Sequence, residues 1–179
     1  VLTQWDTNTS IDFDVVLKNG EFYIYVQGIY VTKIAVNAVM FSGTSSGDLA
    51  FGLTMRSEKG VSTSIEFSNI EFSTDAAKVD EFMNPANPMF GRVLTVNGKE
   101  VTSGIENWIY NGTSKTATGT HTTNSVFYMA PLYFKQTGTT MLFQSTITNV
   151  SNPIKDQPLA GLYVTDGTNK GGFGLFANT

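Results

Sequence analysis

The stretch IDFDVVLKNGEFYIYV, residues 11–26, decides the fold class. Its first half carries an apolar residue at every second position: Ile11, Phe13, Val15 and Leu17. A period of two places these side chains on one face of a β-strand. Asn19-Gly20 is typical of a two-residue type I′ turn, and the alternation resumes beyond it at Phe22, Ile24 and Val26. The stretch therefore predicts an antiparallel β-hairpin.

The rest of the chain repeats this pattern of short apolar segments and turn residues. Its 179 residues include 13 Phe and 7 Tyr, and aromatic residues combined with abundant Thr favour strands. Only residues 74–83 have the spacing of an amphipathic helix, and the sequence NPANP ends it. We predict an all-β protein: an immunoglobulin-like or jelly-roll antiparallel β-sandwich with one short crossover helix at about residues 74–83.

Charge and composition exclude several classes of function. The net charge is −4 and the 11 Lys and Arg residues are dispersed, so the chain lacks the basic patch that neutralises nucleic-acid phosphates. No apolar run has the length of a transmembrane helix, so we expect neither a nucleic-acid nor a membrane partner. The absence of Cys and the abundance of Thr, Ser and Asn favour an extracellular protein that its core alone stabilises.

The residue types that usually carry catalysis are few. One His and no Cys exclude most nucleophile–base pairs and most zinc sites. Glu66 and Glu71 are the candidate carboxylates of a jelly-roll glycoside hydrolase, which is a remote alternative function. Because carboxylates are mostly solvated surface groups, we predict no enzyme activity, no cofactor and no metal.

A candidate ligand-binding region lies in the middle of the chain. Trp108 and Tyr110 have flat amphipathic rings suited to stacking on a sugar, such as a host glycan. They precede the polar residues 112–125, which are predicted to form an exposed loop and include His121. The alternative is that Trp108 fills the core and His121 is a solvated loop residue.

Both chain ends resemble chaperone–usher fimbrial subunits. QPLAGLY, residues 157–163, is similar to the P-x-A-G-x-Y element near the C-terminus of such pilins. The N-terminus is similar in its non-Met start, its polar lead and the alternating run at residues 11–17. The resemblance implies a sandwich that lacks one strand, which the N-terminal extension of the next subunit supplies by donor-strand exchange. It also implies a periplasmic chaperone and an usher as partners.

The sequence thus predicts a structural subunit of an extracellular, cell-surface filament, built from copies of this chain. Residues 1–17 are the predicted extension and donor strand, and residues 18–179 are a single sandwich domain. The residues expected to make the strand exchange are apolar: Leu2, Ile11, Phe13, Val15 and Leu17. One alternative is that residues 11–17 pair within their own chain. Another is a self-contained carbohydrate- or receptor-binding β-sandwich module, lectin-like or from a phage or viral surface protein.

Overall fold

A computed structural model describes residues 10–39, 48–58, 62–83, 108–111, 116–122, 127–149 and 159–176. Strands dominate these residues, as the sequence predicts. Their bounds are β1 (Ser10–Lys18), β2 (Glu21–Val26), β3 (Ile29–Ala35), β4 (Leu49–Glu58), β5 (Ser62–Ser73), β6 (Trp108–Asn111), β7 (Thr116–Thr122), β8 (Phe127–Gly138), β9 (Met141–Asn149), β10 (Leu159–Thr165) and β11 (Lys170–Phe176). Two short helices accompany them, α1 (Val36–Val39) and α2 (Ala76–Met83).

The strands form two antiparallel sheets that pack face to face. The first sheet has seven strands in the order β3-β2-β1-β9-β5-β7-β6, and the second has four in the order β11-β10-β4-β8. Aromatic side chains join the inner faces: the ring of Phe173 lies 5.0 Å from that of Phe22, and Phe51 lies 5.4 Å from Phe72. The predicted all-β sandwich is confirmed.

The hairpin that the sequence predicts at residues 11–26 is present. Asn19 and Gly20 both have positive φ, 52° and 75°, as a type I′ turn requires, and Leu17 pairs with Phe22 across it. The other edge of β1 pairs with β9 over eight residues, from Ser10 opposite Thr148 to Leu17 opposite Met141. The structure therefore places β1 near the middle of the larger sheet. Residues 1–17 were predicted to be an extension, but their part from Ser10 onward is a strand of the domain itself.

Helix α2 covers part of the outer face of the larger sheet. Asp75 caps it, because its Oδ1 accepts a hydrogen bond of 2.9 Å from the backbone N–H of Ala77. Val79 and Phe82 are buried against side chains of three strands, Val16, Tyr25 and Leu142. The predicted helix at residues 74–83 is confirmed. In the sequence α2 lies between β5 and β6, which both belong to the larger sheet, and it packs on the outer face of that sheet.

The polar stretch predicted as a loop at residues 112–125 contains a strand. Thr116–Thr122 forms β7, which pairs with β5 on one side and β6 on the other. β-branched Thr residues suit a pleated strand, and this preference outweighs the low hydrophobicity of the segment. The prediction of a loop was therefore wrong for these seven residues. None of the helices in the described ranges has the length and hydrophobicity needed to cross a membrane.

Candidate functional site

The four described residues predicted to make the strand exchange belong to the core. Each is at most 3% exposed: Ile11, Phe13, Val15 and Leu17. The ring of Phe13 lies 6.3 Å from that of Phe143 in the adjacent strand and 6.5 Å from that of Phe173 in the opposite sheet. Because β2 and β9 occupy both edges of β1, these residues do not offer a free edge to a neighbouring molecule. Leu2 lies outside the described residues.

The predicted ligand-binding residues lie on two strands at one end of the larger sheet. Trp108 pairs with Gly119 and Tyr110 with Ala117, in the rows that continue to the core residues Ile65 and Phe67. His121 pairs with Thr63. Trp108 and Tyr110 therefore lie in the same cross-strand rows as two core residues. His121 lies on a strand and not in the predicted loop.

The element that resembles a pilin motif lies inside the smaller sheet. Ala160 and Leu162 of β10 are fully buried between the sheets. Gly161 is opposite Gly174, and a Cβ atom at Gly161 would lie 2.2 Å from the carbonyl oxygen of Phe173, so only glycine fits there. Internal packing accounts for the small residues of this segment.

An exposed apolar segment lies at the other end of the larger sheet, on β3. Among the residues whose side chains the structure describes, the exposed large hydrophobic ones are three consecutive residues: Ile29 at 67%, Tyr30 at 49% and Val31 at 45%. β3 is the end strand, and its outer edge has no strand partner in the described part of the chain. We call the outer edge of β3 with these three residues the β3 edge surface.

Two local features of the backbone shape the β3 edge surface. Gln27 and Gly28 have φ of 54° and 74° and form the turn that brings β3 back along β2. The pairing shifts between Ile24, opposite Thr32, and Tyr25, opposite Tyr30, so Val31 is the extra residue of a β-bulge. The turn residue Gln27 is fixed to β1, because its Oε1 accepts a hydrogen bond of 2.9 Å from the backbone N–H of Asp12.

Tyr30 of the β3 edge surface lies beside two further tyrosine rings on the outer face of the sheet. The ring of Tyr30 lies 5.6 Å from that of Tyr25 and 6.5 Å from that of Tyr23. Tyr25 also packs edge-to-face against Phe82 of α2. Burial, followed by the neighbouring Tyr30 and Tyr23, raises the pKa of the Tyr25 hydroxyl. We call Tyr23, Tyr25 and Tyr30 the tyrosine cluster.

A charged pair stands beside the tyrosine cluster. The Nζ of Lys33 donates a hydrogen bond of 2.9 Å to Oε2 of Glu21 and lies 5.9 Å from the centre of the Tyr23 ring. The Tyr23 hydroxyl donates to the same Glu21 oxygen at 3.2 Å. The hydrogen bond from Lys33 lowers the pKa of Glu21, and the same bond raises the pKa of Lys33. Both groups are solvent-exposed or partly so, and they are available to polar partners.

The carboxylates considered for glycoside hydrolysis do not form an open pair. Glu66 lies opposite Thr148, whereas Glu71 lies opposite Gln144, four residues away along β9. Glu71 is 5% exposed, and Asp14, on the other side of Gln144, is 2% exposed. The described residues contain no group of three or more acidic, histidine or cysteine side chains that would hold a metal ion.

A cavity of about 300 Å³ opens at the end of the sandwich, near the β1–β2 turn. Asn37 and Thr139 give it polar atoms, and its lining holds no charged side chain. The full lining consists of Leu17, Gly20, Ala35, Val36, Asn37, Leu49 and Thr139.

The β3 edge surface was not found from the sequence. The signal was the run Ile29-Tyr30-Val31 directly after Gln27-Gly28, but three apolar residues in a row are equally typical of a buried strand. Comparison with known proteins adds no further assignment: no family model matches the chain, and no curated protein matches it.

Proposed function

We propose that this protein is a structural subunit of an extracellular filament, and that its copies join by adding a strand to the β3 edge surface. The observation that carries the proposal is that the outer edge of β3, which pairs with no strand in the described part of the chain, coincides with the consecutive exposed residues Ile29, Tyr30 and Val31. A free edge presents unpaired backbone N–H and C=O groups that an extended segment of another chain can bind. Exposed apolar side chains beside it add hydrophobic contact.

Among the other strands that end a sheet, β11 offers less to a partner: none of its side chains described at residues 170–175 is an exposed large hydrophobic one. Lys33 near the far end of β3 is a charge of the kind that discourages unspecific pairing of sheet edges. An apolar start and a charged end would restrict strand addition to a partner in one register.

The proposed occupant of the β3 edge surface is the polar lead of a second copy, residues 1–9, with Leu2 as its apolar anchor. β1 is paired on both edges, so it does not serve as the donor without breaking its own sheet. The lead continues from Ser10, at the end of the sheet where Val26 pairs with Ile29. A contact between two different segments is heterologous and generates an open filament when the rotation between copies does not close a ring, whereas β3 pairing with β3 would generate a closed dimer.

The test compares assembly of the wild type with that of the double variant Ile29→Lys, Val31→Lys by electron microscopy and light scattering. We expect the wild type to form filaments and the variant to stay monomeric, because charges on an edge strand oppose strand addition. The matched control carries the same two added charges at exposed positions elsewhere, Ala38→Lys and Thr168→Lys, and should assemble. Filaments of the Ile29/Val31 variant would contradict the proposed edge.

A second variant, lacking residues 1–9, identifies the donor. Loss of filaments in this variant supports the lead as the added strand. Dimers that disappear only in the Ile29/Val31 variant would show that β3 pairs with β3 of another copy. A wild type that remains monomeric at every concentration would contradict the filament itself. The fimbrial resemblance adds the chaperone and usher as candidate partners for export of the subunit.

A second candidate function is carbohydrate binding at the tyrosine cluster. The observation that favours it is an aromatic ring, Tyr30, half exposed beside the Glu21–Lys33 pair, since sugars bind by stacking on rings and by hydrogen bonds to charged groups. A glycan array separates this function from the first. Tyr30→Ala should lower binding roughly tenfold or more, and Tyr30→Phe, which keeps the ring, should retain it. An array without any bound glycan would remove this candidate.

A further inference from the structure

A row of polar side chains crosses the outer face of the larger sheet and is buried. Asp14 of β1, Gln144 of β9 and Glu71 of β5 are direct cross-strand neighbours. They share the outer face, because Phe13, Phe143 and Phe72, the residues next to them in sequence, lie in the inner core. Their exposed fractions are 2%, 0% and 5%. We call these three residues the acidic row.

A β-bulge brings Glu71 into the acidic row. Ser68 pairs with Thr146 and Glu71 with Gln144, so three steps along β5 match two steps along β9. Asn69, within the bulge, has a positive φ of 49°. Without the extra residue, strand alternation would turn Glu71 toward the inner core. Bulges commonly redirect a side chain at functional sites, and this one creates the second carboxylate of the row.

Gln144 is the residue that points to a ligand. It is fully buried, and neither its Oε1 nor its Nε2 has a hydrogen-bond partner among the described residues. A buried amide without partners is destabilising, so native proteins seldom retain one. Asp14 and Glu71, on either side of it, also take part in further interactions. Gln144 thus lies between two carboxylate residues, and all three side chains are shielded from bulk water.

We propose that the acidic row binds a calcium ion. Adjacent strands are about 4.8 Å apart, so the backbones of Asp14 and Glu71 are separated by roughly 10 Å, with Gln144 midway. A cation above Gln144 is within reach of oxygens of all three side chains at the calcium–oxygen distance of about 2.3–2.6 Å. The oxygen-only ligand set suits calcium, whereas zinc favours the Cys and His ligands that the row does not contain.

The site differs from the β3 edge surface and does not depend on how copies assemble. It combines β1, β9 and β5, three neighbouring strands of the larger sheet, and would fix their register from the outer face. Tyr25 lies directly beside Asp14 in the same row, on β2. A lanthanide such as Tb³⁺, which replaces calcium at oxygen sites, would therefore bind close to a tyrosine that can sensitise its luminescence.

The test measures the melting temperature of chelator-treated protein with CaCl₂, with MgCl₂ and with NaCl at matched ionic strength. We expect calcium at a hundredfold excess over its Kd to raise the melting temperature by about 5 °C or more. Magnesium should raise it less, because it demands a near-ideal octahedral site. Equal melting temperatures in calcium and in matched NaCl would overturn the proposal.

Variants locate the effect on the acidic row. Asp14→Asn and Glu71→Gln should each weaken calcium binding at least tenfold, measured by calorimetry and by Tb³⁺ luminescence. Glu66→Gln is the matched control, since Glu66 lies on the same strand and outer face, in another cross-strand row. Gln144→Met keeps the volume of the side chain and removes its oxygen, so this variant should stay folded and lose the calcium response. Wild-type calcium affinity in all of these variants would show that the ion binds elsewhere and overturn the assignment.

Discussion

β1 and β3 lie on either side of β2 in the same sheet and have similar apolar content. They differ in burial. Val15 of β1 is completely buried, whereas Ile29 of β3 is 67% exposed. The difference arises from the pairing of β1 with β9, which connects segments more than 120 residues apart in sequence. Alternation therefore identifies the face of a strand, and distant pairing decides whether that strand is central or at an edge.

This contrast separates stability from assembly in the molecule. β1 contributes to the core through both faces, since Val15 packs inward and Val16 packs outward beneath α2. β3 contributes little buried surface, and no strand among the described residues pairs with its outer edge. We therefore expect substitutions in β1 to act mainly on the free energy of unfolding, and substitutions at the β3 edge surface to act mainly on association.

The largest expected effect comes from Phe13→Ala. Phe13 is 1% exposed and contacts aromatic rings in both sheets, so its truncation leaves a cavity and should lower the free energy of unfolding by about 3–5 kcal/mol. Ile29→Ala, the matched edge variant, should change it by no more than about 0.5 kcal/mol. Urea denaturation followed by fluorescence measures both. Similar losses in the two variants would contradict the distinction between centre and edge.

The next effect concerns the two hairpin turns that flank β2. Gly20 and Gly28 have φ of 75° and 74°, a left-handed conformation that is strained for other residues. Gly20→Ala and Gly28→Ala should each lower the free energy of unfolding by about 1–2 kcal/mol. We expect the two losses to be alike because the strain is local to each turn. A loss confined to Gly20 would show that the edge hairpin does not need its turn for stability.

These two turns also show what the sequence could reveal. Asn19-Gly20 was recognised because Asn tolerates positive φ, and the hairpin around it is confirmed. Gln27-Gly28 forms an equivalent turn, but Gln at φ of 54° is uncommon, so the residue types at this turn do not identify it in the sequence. Local turn chemistry is predictable where the residue type is specific to the conformation.

Strand ends and strand order were less accessible to sequence reasoning. IAVNAVMF, residues 34–41, has the composition of one buried strand, but β3 ends at Ala35 and α1 follows over Val36–Val39. The backbone N–H of Val36 donates to the carbonyl oxygen of Gly20, a tertiary contact that no local pattern encodes. The acidic row has the same origin, because its three residues meet only through the order of β1, β9 and β5.

A smaller effect tests the connection between the edge hairpin and β1. The side chain of Gln27 accepts a hydrogen bond from the backbone of Asp12, and its own backbone N–H donates to the Asp12 carbonyl oxygen at 2.9 Å. Gln27→Ala keeps the backbone bond and removes the other, so the free energy of unfolding should fall by about 0.5–1.5 kcal/mol. Hydrogen exchange at the amide of Asp12 should accelerate. Unchanged exchange there would show that the side-chain bond does not protect this position.

The smallest effect is the pH dependence of the Glu21–Lys33 pair at the edge. The hydrogen bond from Lys33 lowers the pKa of Glu21 in the folded protein, so its contribution is present above the unfolded pKa and is lost as pH falls through the folded value. For Lys33 the raised pKa has the opposite sign: the contribution is present below the unfolded pKa and is lost as pH rises through the folded value. Exposed pairs contribute little, so Glu21→Gln should lower the melting temperature near neutral pH by about 1 °C or less. The difference from wild type should vanish below about pH 3 and shrink in high salt. A difference that persisted under both conditions would mean that Glu21 stabilises β2 and β3 through packing. Substitutions at the edge would then act on the free energy of unfolding as well as on association.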